Sequence, residues 1–216
     1  MHNSGDLHRA IDEYTKAIKN EVEYSSPLYL FRGLAYEALG DKDAARDDYE
    51  LSTKGDLKQG LTAFKFYFSM SEFPQQVISS YFPHTTIQPQ GREFRAAAYY
   101  RIGMLMYNEM NEYMEKNSRF KAFLKSLFSG YTKKTLNNMI YTFSEAITLK
   151  PDFFEAYRMR GVVRSMQSDY ARIYLNRSVL KKAVSDFQYI LDNSEASITR
   201  RQAQKHLAFI KPFAEL

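Results

Sequence analysis

Apolar residues recur along this chain at helical spacing, in stripes separated by short polar or glycine-containing breaks. Three stripes near the start predict helices at roughly 6–20, 27–39 and 42–53. After a region of weaker repetition, further helical patterns cover roughly 92–114, 135–146, 156–174, 178–190 and 196–213. The pattern therefore predicts an all-helical chain.

Two glycine–aspartate pairs give these helices a common period. Gly5 and Gly40 each precede an aspartate, and the two pairs stand 35 residues apart. Matching residues follow each pair, namely Ala10, Tyr14 and Ala17 in the first copy and Ala45, Tyr49 and Ser52 in the second. A period of about 34 residues is typical of stacked helix–turn–helix units. Each such unit buries its apolar face only by stacking on its neighbours.

The repeated small and aromatic residues have distinct predicted roles in this stacking. Small residues let the two helices of a hairpin approach closely, at Gly33, Gly103, Gly161, Ala10, Ala45 and Ala183. Aromatic side chains are expected to fill the space between successive hairpins, at Tyr14, Tyr49, Phe143 and Phe187. Gly40 suits a tight turn because glycine adopts positive φ without steric cost. Asp41 is expected to cap the helix that follows.

These residues resemble the tetratricopeptide-repeat family. Its first-helix pattern is seen in residues 28–36 and again from Ala156 to Gly161. Its second helix and exit proline are matched by Phe143, Ala146 and Pro151. The resemblance implies an all-α, right-handed helical solenoid of helix–turn–helix hairpins, with enlarged insertions between paired helices and a C-terminal capping helix.

The resemblance divides the chain into four predicted regions. Residues 1–53 form N-terminal hairpins, the first of them incomplete, and residues 54–91 form a degenerate helical segment and linker. Residues 92–195 form further repeats with insertions at 115–133 and 167–178, and residues 196–216 form the capping helix. Both insertions fall at the turn between the two helices of a repeat, so they are expected to project from one side of the array.

Proteins of this family present a concave groove, lined mainly by first helices, that accepts an extended or helical peptide. The resemblance therefore implies a non-enzymatic protein–protein interaction scaffold or adaptor, whose partner is another protein or a peptide. Carried over position by position, the groove residues are Leu30, Leu34, Glu37, Tyr100, Met104, Tyr107, Asn108, Arg158, Val162 and Ser165. Arg158 is the expected reader of charge. Leu30 and Leu34 stand where members that bind chaperone tails use a lysine–asparagine clamp, so that ligand is not expected.

One insertion combines basic and apolar residues at helical spacing. Its candidate surface residues are Arg119, Phe120, Phe123, Lys125 and Leu127. Such a segment is typical of a helix that packs on its own scaffold, of a partner-binding helix, or of a helix at a membrane surface. Two hypotheses therefore stay open beside the scaffold: a membrane-associated assembly factor that docks through residues 117–129, and a secretion-type chaperone. An exposed end of the solenoid also leaves an oligomer possible.

Charge is distributed unevenly along the chain. Residues 1–56 carry 7 Lys/Arg against 12 Asp/Glu, whereas residues 131–216 carry 14 against 8. This asymmetry can steer an oppositely charged partner. No recognition motif accompanies the basic pairs Lys181-Lys182 and Arg200-Arg201, so nucleic acid is not the expected partner.

The sequence predicts no catalytic residue, cofactor or metal site. Phosphate-loop, metalloprotease and nucleophile-elbow patterns are absent from it, and it has no cysteine. Its histidines, His2, His8, His84 and His206, lack metal-ligand spacing and are expected at the surface or in caps. Asp41, Asp43, Asp47 and Asp48 are expected to be first-turn acids that complement the helix dipole.

Location is predicted from the absence of a sorting signal. No apolar run approaches the about 18 residues of a membrane span, and the first residues have no apolar secretory region. A cytoplasmic protein is therefore expected. The chain enters in the second half of a repeat, which indicates either a trimmed start or an unusual native cap.

Overall fold

The structure is a computed structural model that describes residues 4–20, 25–54, 91–116, 130–169 and 176–215. Eight helices and no strand lie in these ranges. The helices are α1 (Ser4–Asn20), α2 (Ser25–Leu39), α3 (Lys42–Thr53), α4 (Gly91–Lys116), α5 (Gly130–Leu149), α6 (Phe154–Asp169), α7 (Arg177–Asn193) and α8 (Ser197–Glu215). The predicted all-α class is confirmed. The largest difference in position is at α5, which begins at Gly130 rather than near Thr135.

The chain forms two compact units that divide within α4. The first unit runs from Met1 to Ile102, and in it α1 packs on α2 and α2 packs on α3. The second unit runs from Gly103 to Leu216, and in it α5, α6, α7 and α8 pack in succession. Helices α2, α4 and α6 are the first helices of hairpins whose second helices are α3, α5 and α7. The predicted architecture of helical hairpins is thus confirmed.

Each complete hairpin is closed by an aromatic ring seated on a glycine. A Cβ atom on Gly33 would lie 2.8 Å from the Tyr49 ring, and one on Gly161 would lie 2.7 Å from the Phe187 ring. A Cβ atom on Gly103 would likewise lie 2.7 Å from its partner ring, Phe143. The prediction placed these rings between successive hairpins. In the structure, each of these rings fills the space above the glycine of its own hairpin, which is why a larger residue does not fit there.

Side-chain caps and one turn glycine define the helix ends. Asp41 accepts a hydrogen bond from the Ala44 amide at 3.1 Å, so it is the N-cap of α3. Gly40 has a φ of 89°, which confirms the positive φ predicted for this turn. Asn176 caps α7 in the same way as Asp41 caps α3, by accepting from the Val179 amide at 3.3 Å.

Helix α8 covers the end of the second unit. Ala203, Ile210 and Ala214 are buried and join a core cluster with Phe187 and Ile190 of α7. This confirms the predicted capping helix and its predicted apolar face. The predicted division of the chain into four regions stays a prediction, because residues 55–90, 117–129 and 170–175 lie outside the described residues.

Candidate protein-interaction face

An ion pair between a half-buried arginine and a buried aspartate links three helices of the first unit. Arg32 of α2 donates from Nη2 to Oδ1 of Asp48 at 2.7 Å and from Nε to Oδ2 at 2.8 Å. Its Nη1 atom donates to the Thr15 hydroxyl of α1 at 3.0 Å. The guanidinium also lies 5.5 Å from the centre of the Tyr29 ring. One side chain therefore fixes the first helix against both its own second helix and the helix before it.

The same arrangement is repeated in the second unit. Arg160 of α6 donates from Nη2 to Oδ1 of Asp186 on α7 at 2.6 Å, and from Nη1 to the Ser144 hydroxyl of α5 at 3.1 Å. Its guanidinium lies 5.3 Å from the centre of the Tyr157 ring. Here a second cation, Arg164, also donates to Asp186, at 2.6 Å. The single carboxylate of Asp186 thus serves two guanidinium groups.

We call these two ion pairs, Arg32–Asp48 and Arg160–Asp186, the polar clamps. The sequence analysis did not predict them. It interpreted Asp47 and Asp48 as first-turn acids, but both lie beyond the first turn of α3 and Asp48 is buried, so that interpretation is wrong for these two residues. The sequence did contain a signal for the polar clamps. In both hairpins an arginine directly precedes the first-helix glycine, Gly33 or Gly161, and an aspartate directly precedes the second-helix aromatic residue, Tyr49 or Phe187. The hairpin of α4 and α5 lacks the pair, since Ile102 and Thr142 hold the corresponding positions.

Burial and pairing shift the pKa values of Arg32 and Asp48 in opposite directions. The hydrogen bond to Asp48 raises the pKa of Arg32, which favours the charged guanidinium. Burial raises the pKa of Asp48, and the bond and charge of Arg32 oppose that rise. We take the pair to be ionised, because two short, parallel bonds are the geometry of a guanidinium–carboxylate pair. Burial of the Asp48 carboxylate alone would cost free energy, and its pairing with Arg32 offsets part of that cost.

Three of the predicted groove residues are buried. Leu30 is 2% exposed, Leu34 is 6% exposed and Tyr100 is 7% exposed, so all three pack in the core. Glu37 is half-buried and accepts from the Tyr49 hydroxyl at 2.6 Å and from Nε of Arg101 at 3.0 Å. These four positions of the first unit are therefore already engaged within the protein.

The other six predicted groove residues lie in the second unit and are half-buried or exposed. We call them the first-helix face: Met104, Tyr107 and Asn108 on α4, with Arg158, Val162 and Ser165 on α6. Both helices pack on α5, as the contact of Gly103 with Phe143 shows for α4. Val162 also packs against the core below it. The Ser165 hydroxyl donates to the Gly161 carbonyl at 2.8 Å. Partner contact at all ten groove positions stays a prediction.

Arg158 is the main charged group of this face, and its geometry is set by an acid on the same helix. Its Nε atom donates to Glu155 at 2.7 Å, and the Thr199 hydroxyl of α8 donates to the other Glu155 oxygen at 3.2 Å. Burial, together with the positive charge of Arg158, lowers the pKa of His206. His206 also stacks on Phe187, with ring centres 5.2 Å apart, so the expectation of a plain surface or capping role is wrong for it.

A cluster of aromatic rings on α6 and α7 includes Tyr157, the residue directly before Arg158. Tyr157 stacks on Tyr189 with ring centres 4.4 Å apart, and Phe154 lies 6.3 Å from the Tyr189 ring. Burial, followed by the hydrogen bond with Tyr189, raises the pKa of Tyr157 to about 12. The Tyr157 hydroxyl therefore stays protonated at neutral pH and can donate a hydrogen bond.

The candidate insertion surface cannot be described in the same way. Arg119, Phe120, Phe123, Lys125 and Leu127 lie outside the described residues. Among the residues that are described, no group of His, Asp or Glu has the arrangement of a metal site. Within those same ranges, no helix combines the length and the apolar character that a membrane crossing requires.

Comparison with known protein families identifies one match. The model of the tetratricopeptide repeat matches residues 26–59, which include all of α2 after its first residue, the Gly40 turn and α3. This match confirms the resemblance seen in the sequence. Comparisons with curated proteins and with solved structures found no match.

Proposed function

We propose, from the tetratricopeptide repeat at residues 26–59, that this protein is a non-enzymatic scaffold for protein–protein interaction. Repeats of this family generally bind other proteins or peptides. The partner is a peptide or helix that lies on the first-helix face of the second unit.

The observation that carries this proposal is the contrast between the two units. Leu30 and Leu34 are buried in the first unit, whereas Arg158 and Val162, which hold the corresponding positions on α6, are half-buried, and so is Met104 on α4. A face that is partly buried presents apolar surface while its side chains are held by the core beneath. Such preorganisation lowers the entropic cost of binding.

The side chains of the face indicate the chemistry of the partner. Met104 and Tyr107 offer apolar and aromatic surface to a hydrophobic side chain, and the Asn108 amide can pair with a peptide backbone. Arg158 can donate to an acidic side chain, in competition with Glu155, which already holds it at 2.7 Å. We therefore expect a partner segment that carries an apolar anchor and a nearby carboxylate.

Affinity capture of the full chain, followed by mass spectrometry, identifies the partner, and calorimetry with the purified partner measures its affinity. Tyr107→Ala should weaken binding by about 1–3 kcal/mol if Tyr107 is an anchor of the interface. Arg158→Ala should also weaken it, with a larger effect at low salt because the contact is ionic.

Tyr141→Ala is the matched control. Tyr141 is also a tyrosine of the second unit, but it is 57% exposed and stands on a second helix, α5. The control should bind like the parent. If Tyr107→Ala and Arg158→Ala keep the parent's affinity while their circular dichroism is unchanged, the first-helix face is not the binding site.

A further inference from the structure

The outer face of α8 carries an unusual row of exposed side chains. Arg201, Lys205 and Phe209 follow one another at intervals of four residues and are all exposed, Phe209 to 69%. The neighbouring Phe213 is 44% exposed, and its ring centre lies 6.2 Å from that of Phe209. Exposed aromatic pairs of this kind are uncommon on a surface that contacts only water.

Arg200 and Lys211, two other cations of α8, contact groups of the same chain, which sets this row apart. Arg200 donates to the backbone carbonyls of Leu191 and Ser194 and so closes the end of α7. Lys211 lies 3.6 Å from Glu215. The row of two cations followed by a phenylalanine is thus not explained by the packing of α8 on α7.

A row of opposite charge and equal spacing lies on α3. Asp43, Asp47 and Leu51 also follow one another at intervals of four residues, and all three are exposed, Leu51 to 41%. Glu50 adds a further exposed carboxylate beside them. Arg46 lies 3.7 Å from Asp43, which is a long and weak pair.

We propose that the α8 row of one molecule binds the α3 row of a second copy of this chain. Each row consists of two charged residues followed by an apolar one. Each extends about 12 Å along its helix, at about 1.5 Å per residue. In parallel register, Arg201 meets Asp43, Lys205 meets Asp47 and Phe209 meets Leu51. The two sequence regions involved also differ in net charge, since residues 1–56 are acidic and residues 131–216 are basic. The contact joins two different surfaces and is therefore heterologous, so association proceeds head to tail.

Sedimentation velocity of the full chain at low salt tests this proposal. The weight-average mass should rise with protein concentration above the 25.3 kDa of one chain. It should return toward that value at high salt, because ions screen exposed charge pairs. Phe209→Ser, which changes no charge, should also weaken the association.

Charge reversal identifies the two surfaces. Arg201→Glu with Lys205→Glu should keep the chain monomeric, and so should Asp43→Lys with Asp47→Lys. An equimolar mixture of these two variants should associate again, because each now complements the other. Lys181→Glu with Lys182→Glu, at two exposed positions of α7, makes the same change of charge and should associate like the parent.

Four results would overturn the proposal. They are a parent that stays monomeric at every concentration, reversed variants that associate like the parent, a mixture that stays monomeric, and a control that loses association. If the monomeric parent instead sediments with phosphatidylserine vesicles and the Arg201→Glu, Lys205→Glu variant does not, the α8 row is a membrane-binding surface and the proposal is wrong.

Discussion

Arg32→Met and Arg160→Met are chemically identical changes at equivalent positions, yet they should differ in their effect on stability. Arg32→Met leaves Asp48 buried, at 3% exposure, without its guanidinium partner. Leaving one charge of a buried pair uncompensated costs about 3–5 kcal/mol. Arg160→Met leaves Asp186 paired with Arg164 at 2.6 Å. It removes only charge-assisted hydrogen bonds, and we expect a loss of about 1.5–3 kcal/mol.

Native-state hydrogen exchange is the suitable assay, because a chain of two compact units need not unfold in one step. The free energy of opening is read from the slowest amides of α3 for Arg32→Met and of α7 for Arg160→Met. The combined change Arg32→Met with Asp48→Leu should recover most of the loss, because it replaces both charges by apolar groups. Equal losses in the two single variants, or no recovery in the combined one, would refute the reasoning.

The pH dependence of Arg32→Met gives a second readout with a definite sign. Burial raises the pKa of Asp48 in the parent, and without Arg32 nothing on the partner helix opposes that rise. The folded variant then binds a proton at a pH where the unfolded chain, with a pKa of about 3.9, does not. Its stability should therefore fall as pH rises through the folded pKa, and the deficit relative to the parent should shrink on acidification.

Two further predictions concern the second unit. Gly161→Ala would place a Cβ atom 2.7 Å from the Phe187 ring, so overpacking should cost about 1–3 kcal/mol in thermal unfolding. Ser185→Ala, at an exposed position of α7, is its control, and an unchanged melting temperature in Gly161→Ala would contradict the packing described. Burial and Arg158 lower the pKa of His206, so the folded state binds fewer protons than the unfolded chain. The stability of the parent should fall as pH falls from about 6.5 through the folded pKa of His206. His206→Phe should remove this dependence. Coinciding pH profiles of parent and variant would contradict the role given to His206.

The helical hairpins could be predicted from sequence because their signals are local. The turn glycine Gly40, the cap Asp41 and the apolar stripe of α3 act within a few residues of one another, and α3 was predicted with the bounds that the structure has. The glycines of the first helices were also recognised, since a missing side chain at a fixed place in a repeat has few explanations.

The polar clamps could not be predicted in the same way, because their partners are separated by different lengths of chain. Arg32 and Asp48 stand 16 residues apart, whereas Arg160 and Asp186 stand 26 apart. An insertion between the paired helices changes this separation and leaves the geometry unchanged. A comparison anchored on the glycine and the aromatic residue, rather than on a fixed period, would have found both pairs.

The candidate face was only partly accessible to sequence reasoning for a related reason. Position within a repeat identifies which residues stand on a first helix, but it does not say which neighbours cover them. Leu30 and Tyr100 occupy such positions and are buried, whereas Asn108 is exposed. Burial depends on packing between elements distant in sequence, which one repeat does not encode.

Hydrogen exchange of the protein with and without its purified partner tests the central claim most directly. The proposal predicts that the partner slows exchange in the first helices of the second unit, over residues 103–111 of α4 and 154–165 of α6. Slower exchange confined to the second helices α5 and α7, or to α8, would contradict binding on the first-helix face.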